Sequence, residues 1–132
     1  MTGRHITAEK SSQRATLSSD LVLIDGWGFV SGQQPIDLKD DRVPLPEMVE
    51  AQTRKILSNL EIILAEAGLG KDAVVSVNIS LVDFKRFYDR MNLAYIGFFR
   101  EDRLPARNCV GVAQLTRGAL VEMSFVLRVP QS

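Results

Sequence analysis

Apolar positions change period several times along the chain, and each change marks an element. Leu21-Val22-Leu23-Ile24 is a short apolar run, followed by Asp25-Gly26 and then Trp27-Gly28-Phe29-Val30-Ser31. Two such runs around an Asp-Gly pair predict a hairpin, because that pair tolerates the positive φ values of a tight turn. The stretch from Gln33 to Pro46, rich in Pro, Asp and Lys, reads as a loop. Helical spacing begins at Pro46: Val49, Ile56, Leu60, Ile63 and Ala67 fall near one stripe, with Glu47, Glu50, Arg54 and Lys55 away from it. Pro46 suits the first turn of that helix, and Gly68 and Gly70 suit its stop.

Alternation then replaces the helical stripe. Val75, Val77, Ile79 and Leu81 interleave with Ser76, Asn78 and Ser80, which predicts a strand. Asp83 suits the N-cap of a second helix, along which Phe84, Phe87, Tyr88, Met91, Tyr95 and Phe98 recur every three or four residues as a core stripe. Pro105 breaks the chain. Two strands close it, roughly Asn108 to Leu115 and Ala119 to Val129, joined by a turn at Thr116-Arg117-Gly118. Val121, Met123, Phe125, Leu127 and Val129 share one face of the last strand, and Glu122, Ser124 and Arg128 the other. Trp27 reads as packing near the hairpin. The order predicts an α+β chain with two helices on one sheet face, organised as one domain over residues 1–132, with 1–16 a mobile stretch or an edge strand. The second sheet face, which would carry Ser76, Asn78 and Ser80, is then left for copies of the chain to cover, so a homo-oligomer is expected.

Composition narrows the chemistry. The 132 residues are 45% hydrophobic, enough for one core. Lys plus Arg number 16 and Asp plus Glu number 16, without the basic excess of a protein that neutralises many phosphates. Nucleic acid is therefore a disfavoured partner. No apolar run approaches the roughly 20 residues of a membrane helix, and the first residues lack a secretory apolar segment. A single cysteine allows no intrachain disulfide, and a cytoplasmic location is expected. One His and one Cys cannot build a zinc site, and a Ser-His-Asp triad would have to use His5 near the N-terminus. Neither G-x-G-x-x-G nor a P-loop lysine motif occurs, so no cofactor and no metal are expected.

The most informative cluster is Leu104-Pro105-Ala106-Arg107-Asn108-Cys109-Val110-Gly111-Val112, taken with Ser31-Gly32-Gln33-Gln34-Pro35, Asn92-Leu93-Ala94-Tyr95 and Val121-Glu122-Met123. Together, in order and without large gaps from about Leu17 onward, these segments resemble the RidA (YjgF, translation-inhibitor) family. The resemblance implies a six-stranded mixed sheet with two helices on one face, of the chorismate-mutase-like kind. It also implies a homotrimer whose sheets form a central barrel, with clefts between subunits. Family members with known activity hydrolyse reactive imines and enamines such as 2-aminoacrylate to a 2-keto acid and ammonia. The position matched by Arg107 then grips the substrate carboxylate, that of Glu122 holds the attacking water, and backbone near Cys109 meets the reacting end. Ser31 and Asn92 match cleft-lining positions. The family's cleft tyrosine is absent. Counting back from Ser31 places Ser18-Ser19 there, so that Ser18 would line an enlarged cleft; with an insertion, Ser11 stands there instead.

The residues themselves leave alternatives open. Arginine's planar fork matches a carboxylate in a charge-assisted contact worth about 1.5–3 kcal/mol, but Arg107 equally suits a salt bridge to a neighbouring acid. Glu122, alone in an apolar strand, needs water or a partner; it suits a water-orienting base or a pair with Arg128 or another basic group across an interface. Cys109 lacks an activating base nearby and reads as a small packed residue. Three functions compete: hydrolytic deaminase, endoribonuclease or translation inhibitor, and a trimeric binder of small carboxylates without turnover.

Overall fold

The computed structural model describes residues 3–130. Eight regular elements follow one another: β1 (Arg4–Ile6), β2 (Leu21–Ile24), β3 (Trp27–Gln33), α1 (Val49–Glu66), β4 (Val74–Val82), α2 (Phe84–Tyr95), β5 (Ala106–Val112) and β6 (Val121–Arg128). The strands form one six-stranded sheet in the order β1-β2-β3-β6-β4-β5. Every pairing is antiparallel except β4 with β5. That parallel pair needs a crossover, and α2 supplies it. The mixed sheet with two helices is the architecture expected from the sequence.

The hairpin forms where expected. Asp25 and Gly26 both take left-handed φ values, 54° and 79°, between Ile24 and its partner Trp27, which gives the tight turn the twist its flanking strands require. The core lies on one sheet face. Val77, Ile79 and Leu81 of β4 and Val121, Met123, Phe125 and Leu127 of β6 are buried there with Ile56, Leu60 and Ile63 of α1 and Phe87, Met91 and Tyr95 of α2. The opposite face carries Trp27 and Phe29 of β3, 42% and 49% exposed, with the exposed Asn78 and the half-buried Ser80, Glu122 and Ser124. A row of apolar and small polar side chains is thus left in water.

Several boundaries differ from the sequence expectation. The first helix begins at Val49, not at Pro46, whose carbonyl instead accepts the Gln52 side-chain amide at 2.8 Å. Val75, expected on the buried face, is 40% exposed because β4 shifts register against β6 between Val74 and Ser76. A bulge there inserts one residue and turns Val74 inward instead. Asp83 precedes α2 in a left-handed conformation, φ 49°, and its carboxylate makes no cap; its backbone carbonyl accepts from Arg86 and Phe87. Phe98 lies beyond the helix end, and Phe99 is the buried ring there. The fifth strand runs Ala106–Val112, not Asn108 to Leu115, because pairing with Ser76 on β4 starts directly after Pro105. The turn expected at Thr116–Gly118 forms as a short helical turn, and the last strand is shorter than expected because residues 119–120 still lead into β6.

Candidate functional site

Arg107 is the second residue of β5 and pairs in parallel register with the buried Val77. Parallel neighbours point to the same face, so its side chain leaves the sheet on the helix side, toward α2. There Asn92 and Tyr95, three residues apart, share one helix face. The guanidinium donates to Asn92 Oδ1, and its Cζ sits 4.6 Å from the Tyr95 ring centroid. A cation over a ring is attracted by the ring's negative face, by about 0.5–1 kcal/mol or more. Burial raises the Tyr95 hydroxyl above its ordinary pKa, partly offset by the Arg107 charge, so the ring presents a neutral phenol. The salt bridge proposed as an alternative for Arg107 is not formed: among the described residues no carboxylate lies within ion-pair distance of it. A half-buried cation is thus oriented by a ring and an amide and left without a counter-charge.

A cavity of about 560 Å³ opens beside this guanidinium, between α2 and the start of β5. Cys109, two residues on, is half-buried on the same face. Burial raises its thiol above the ordinary cysteine pKa, with Arg107 pulling the other way. A thiol held protonated suits packing and not nucleophilic attack.

Glu122 lies elsewhere. On β6 it pairs with Ser80 of β4 and alternates with the buried Val121 and Met123, so it projects from the open face. Gln34 Nε2 donates to Glu122 Oε1 at 3.3 Å and also to Thr116 Oγ1. A Cβ on Gly32 would stand 3.0 Å from Glu122 Cδ and Oε2, so only glycine leaves the carboxylate where it is. Arg128 does not pair with Glu122: it stacks on Trp27 at 4.7 Å and donates to the Gly26 carbonyl. No cation lies within ion-pair distance of Glu122 among the described residues.

Ser31 and Ser18 line a second cavity, about 210 Å³, together with Leu17, Gly32 and Gln34. Ser31 Oγ donates to the Ser19 carbonyl at 2.6 Å, which leaves its oxygen free to accept but not to donate. Within one chain, then, Arg107, Asn92 and Cys109 form one group, and Glu122, Ser31 and Ser18 are placed apart from it. The strands carrying Arg107 and Glu122 are separated by β4, and the two side chains leave opposite faces.

Sequence reasoning missed the Arg107 contact of Tyr95, the reach of Gln34 and the buried Arg14–Asp20 pair. Tyr95 lies in the core as its stripe predicts, and its ring also meets Arg107, a contact signalled by its spacing from Asn92 on one helix face. Gln34 stood inside the quoted Ser31–Pro35 segment, yet nothing local showed that its amide reaches β6. The Arg14–Asp20 pair, 2.5 Å apart with both side chains buried, had no signal beyond two charges in a polar stretch.

Residues 9–129 match the sequence profile of the family described as Endoribonuclease L-PSP. A RutC family protein of Synechocystis sp. is 35% identical over 109 residues, covering 83% of each chain. The crystal structure of a conserved Rid family protein, YyfA from Yersinia pestis, superposes with a TM-score of 0.85 at 30% identity, covering 97% of this chain and 100% of that one. Yeast Mmf1 superposes with a TM-score of 0.86 at 27% identity, covering 98% and 100%. The chain belongs to the L-PSP endoribonuclease family, the RidA and YjgF group of proteins.

Proposed function

We propose that this protein hydrolyses small reactive 2-imino and 2-enamino acids to 2-keto acids and ammonia, in a cleft formed between copies of the chain. The observation that carries the reading is Arg107: a half-buried guanidinium, held by Asn92 and Tyr95, with no carboxylate at ion-pair distance among the described residues and an open cavity beside it. Such a group is built to take a carboxylate. The imine carbon is already electrophilic, so orientation of carboxylate and water suffices. Water held by Glu122 adds its oxygen to C2 while the carboxylate takes a proton. Glu122 passes that proton to the nitrogen, and as the C–N bond breaks the added hydroxyl gives up its own proton to the departing nitrogen, leaving the keto acid and ammonia. Cys109 contributes backbone near the reacting carbon, and Ser31, Ser18 and Asn92 line the cleft. No metal or cofactor enters these steps.

Opposite-face placement of Arg107 and Glu122 supports a site shared between subunits, and a homotrimer with the open sheet faces turned inward satisfies both this and the exposed Trp27 and Phe29. This reading yields a complementation test. Arg107→Ala and Glu122→Gln subunits, each strongly impaired alone, are refolded together so that they assort at random. In a ring where each cleft takes Arg107 from one copy and Glu122 from the next, about a quarter of the clefts recover both groups. Activity should return to about that fraction of wild type in 2-aminoacrylate hydrolysis. No recovery in a mixture shown by mass spectrometry to contain hetero-oligomers would place both residues in one subunit's site.

Gly32→Ala probes the water-holding group without touching it. The added methyl should push the Glu122 carboxylate aside and lower turnover roughly tenfold, as small misplacements of reacting groups do, with the melting temperature nearly unchanged. Unaltered turnover would remove Glu122 from the mechanism.

A cytoplasmic location belongs to the same proposal, in keeping with a lone cysteine; no helix among the described residues is long and apolar enough to cross a membrane. A second reading, binding of a small carboxylate without turnover, is favoured by Ser18 standing where active relatives place a tyrosine. Keto acids that raise the melting temperature while 2-aminoacrylate is left unhydrolysed would select it.

A further inference from the structure

We infer that the ligand gripped by Arg107 carries a bulky apolar side chain, so that the preferred substrates are 2-imino acids with branched aliphatic or aromatic substituents. The inference rests on the carboxylate-binding reading of Arg107 and deepens it. The cavity beside the guanidinium is far larger than a three-carbon acid needs, at about 560 Å³. Its polar end is Arg107 with Asn92, and the remaining wall is chiefly Tyr95, Ile96, Phe99, Leu104 and Pro105. Ile96 and Leu104 are 77% and 65% exposed, so apolar surface faces water directly beside a cation awaiting its anion. An amphipathic ligand with a carboxylate at one end and hydrocarbon at the other matches that polarity.

The serine-lined cavity is polar over much of its wall, with Arg14, Asp20, Gln33 and Arg117, but it too presents an apolar side chain. Leu17, adjacent to Ser18, is fully exposed on the wall of the serine-lined cavity. Glu101 is the second charged group in the Arg107 cavity wall. It penalises ligands with an acidic side chain, which would set like charges together in a confined space.

The order of affinities follows. Each methylene transferred from water to an apolar wall is worth roughly a fourfold gain in binding. The stable product acids serve as probes: 4-methyl-2-oxopentanoate and phenylpyruvate should bind at least tenfold more tightly than pyruvate, and 2-oxoglutarate more weakly than either. Isothermal titration of the assembled wild-type protein measures this. Leu104→Ser and Ile96→Ser alter exposed positions and should fold normally; together they should shrink the preference for 4-methyl-2-oxopentanoate over pyruvate to about twofold. Equal affinity for pyruvate, or a preference that survives the double variant, overturns the inference. A parallel 2-aminoacrylate assay separates the two levels. Arg107-dependent hydrolysis without a size preference sinks the apolar-ligand inference alone, whereas no keto-acid binding and no hydrolysis sinks the carboxylate reading with it.

Discussion

Arg107→Ala is expected to lower kcat/KM for 2-aminoacrylate hydrolysis by about 10- to 100-fold, the loss of a charge-assisted contact worth roughly 1.5–3 kcal/mol. The structure explains why stability should not fall with it. The guanidinium forms no ion pair among the described residues, and its partners are the Asn92 amide, the face of Tyr95 and the Cys109 side chain. Removing it frees Asn92 to meet water and leaves no buried charge behind. Arg107→Lys separates charge from shape. An ammonium keeps the positive charge but offers neither the planar fork nor a flat surface to lie on Tyr95, so it should recover only part of the loss. The assay generates 2-aminoacrylate with a serine dehydratase and follows pyruvate release against the uncatalysed rate. Wild type no faster than Arg107→Ala would end the hydrolase reading, whatever the fold similarity suggests.

The largest effect on stability is expected at Asp20. Asp20→Ala leaves Arg14 buried without its partner, a change that costs about 3–5 kcal/mol when an internal ion pair loses one member. For a chain of this size the melting temperature should drop by roughly 10 °C or more. The pair is a junction. Arg14 donates to Asp20 and to the carbonyls of Ala8 and Leu38, at 3.0 and 3.3 Å, while the Asp20 carboxylate also accepts the Ala8 N–H at 3.0 Å. The Asp20 backbone binds Ile6 on one side and Ser31 on the other. Ser18 and Ser31, which line the same cavity as Asp20, therefore depend on it, and on the proposed function residual activity of Asp20→Ala should fall further than its folded fraction. Replacing both partners with apolar residues, as in Arg14→Met with Asp20→Leu, should restore much of the stability, because no charge then remains to be desolvated. A double variant as unstable as the single one would mean that the backbone contacts, and not the charges, hold the segment.

Much of the fold was legible because its signals are local. Asp25-Gly26 between two apolar runs specifies a turn with positive φ, and no distant contact is needed to read it. The stripe of Ile56, Leu60 and Ile63 and the alternation of Val121, Met123, Phe125 and Leu127 follow directly from periods of 3.6 and 2. Where a boundary failed, a non-local choice decided it. The bulge at Val75 is set by register against β6, and the start of β5 is set by its parallel partner β4; neither partner is adjacent in sequence. Asp83 looked like a cap from residue type alone, yet the strand-to-helix turn put its backbone in the left-handed region and its carboxylate out of reach.

The sequence by itself determined which residues are the candidates for chemistry: a Pro-Ala-Arg segment with Arg107, a lone acid at Glu122, and serines where the family resemblance leads one to expect a tyrosine. It could do so because residue types and their order are local properties. Only the tertiary structure decided how those groups stand to one another. Strand alternation and sheet order place Arg107 against Tyr95 on the helix side and Glu122 beside Gly32 and Gln34 on the open side. The physical reason is the pleat: a side chain's face depends on register with neighbouring strands, and register is settled by contacts far apart in the chain.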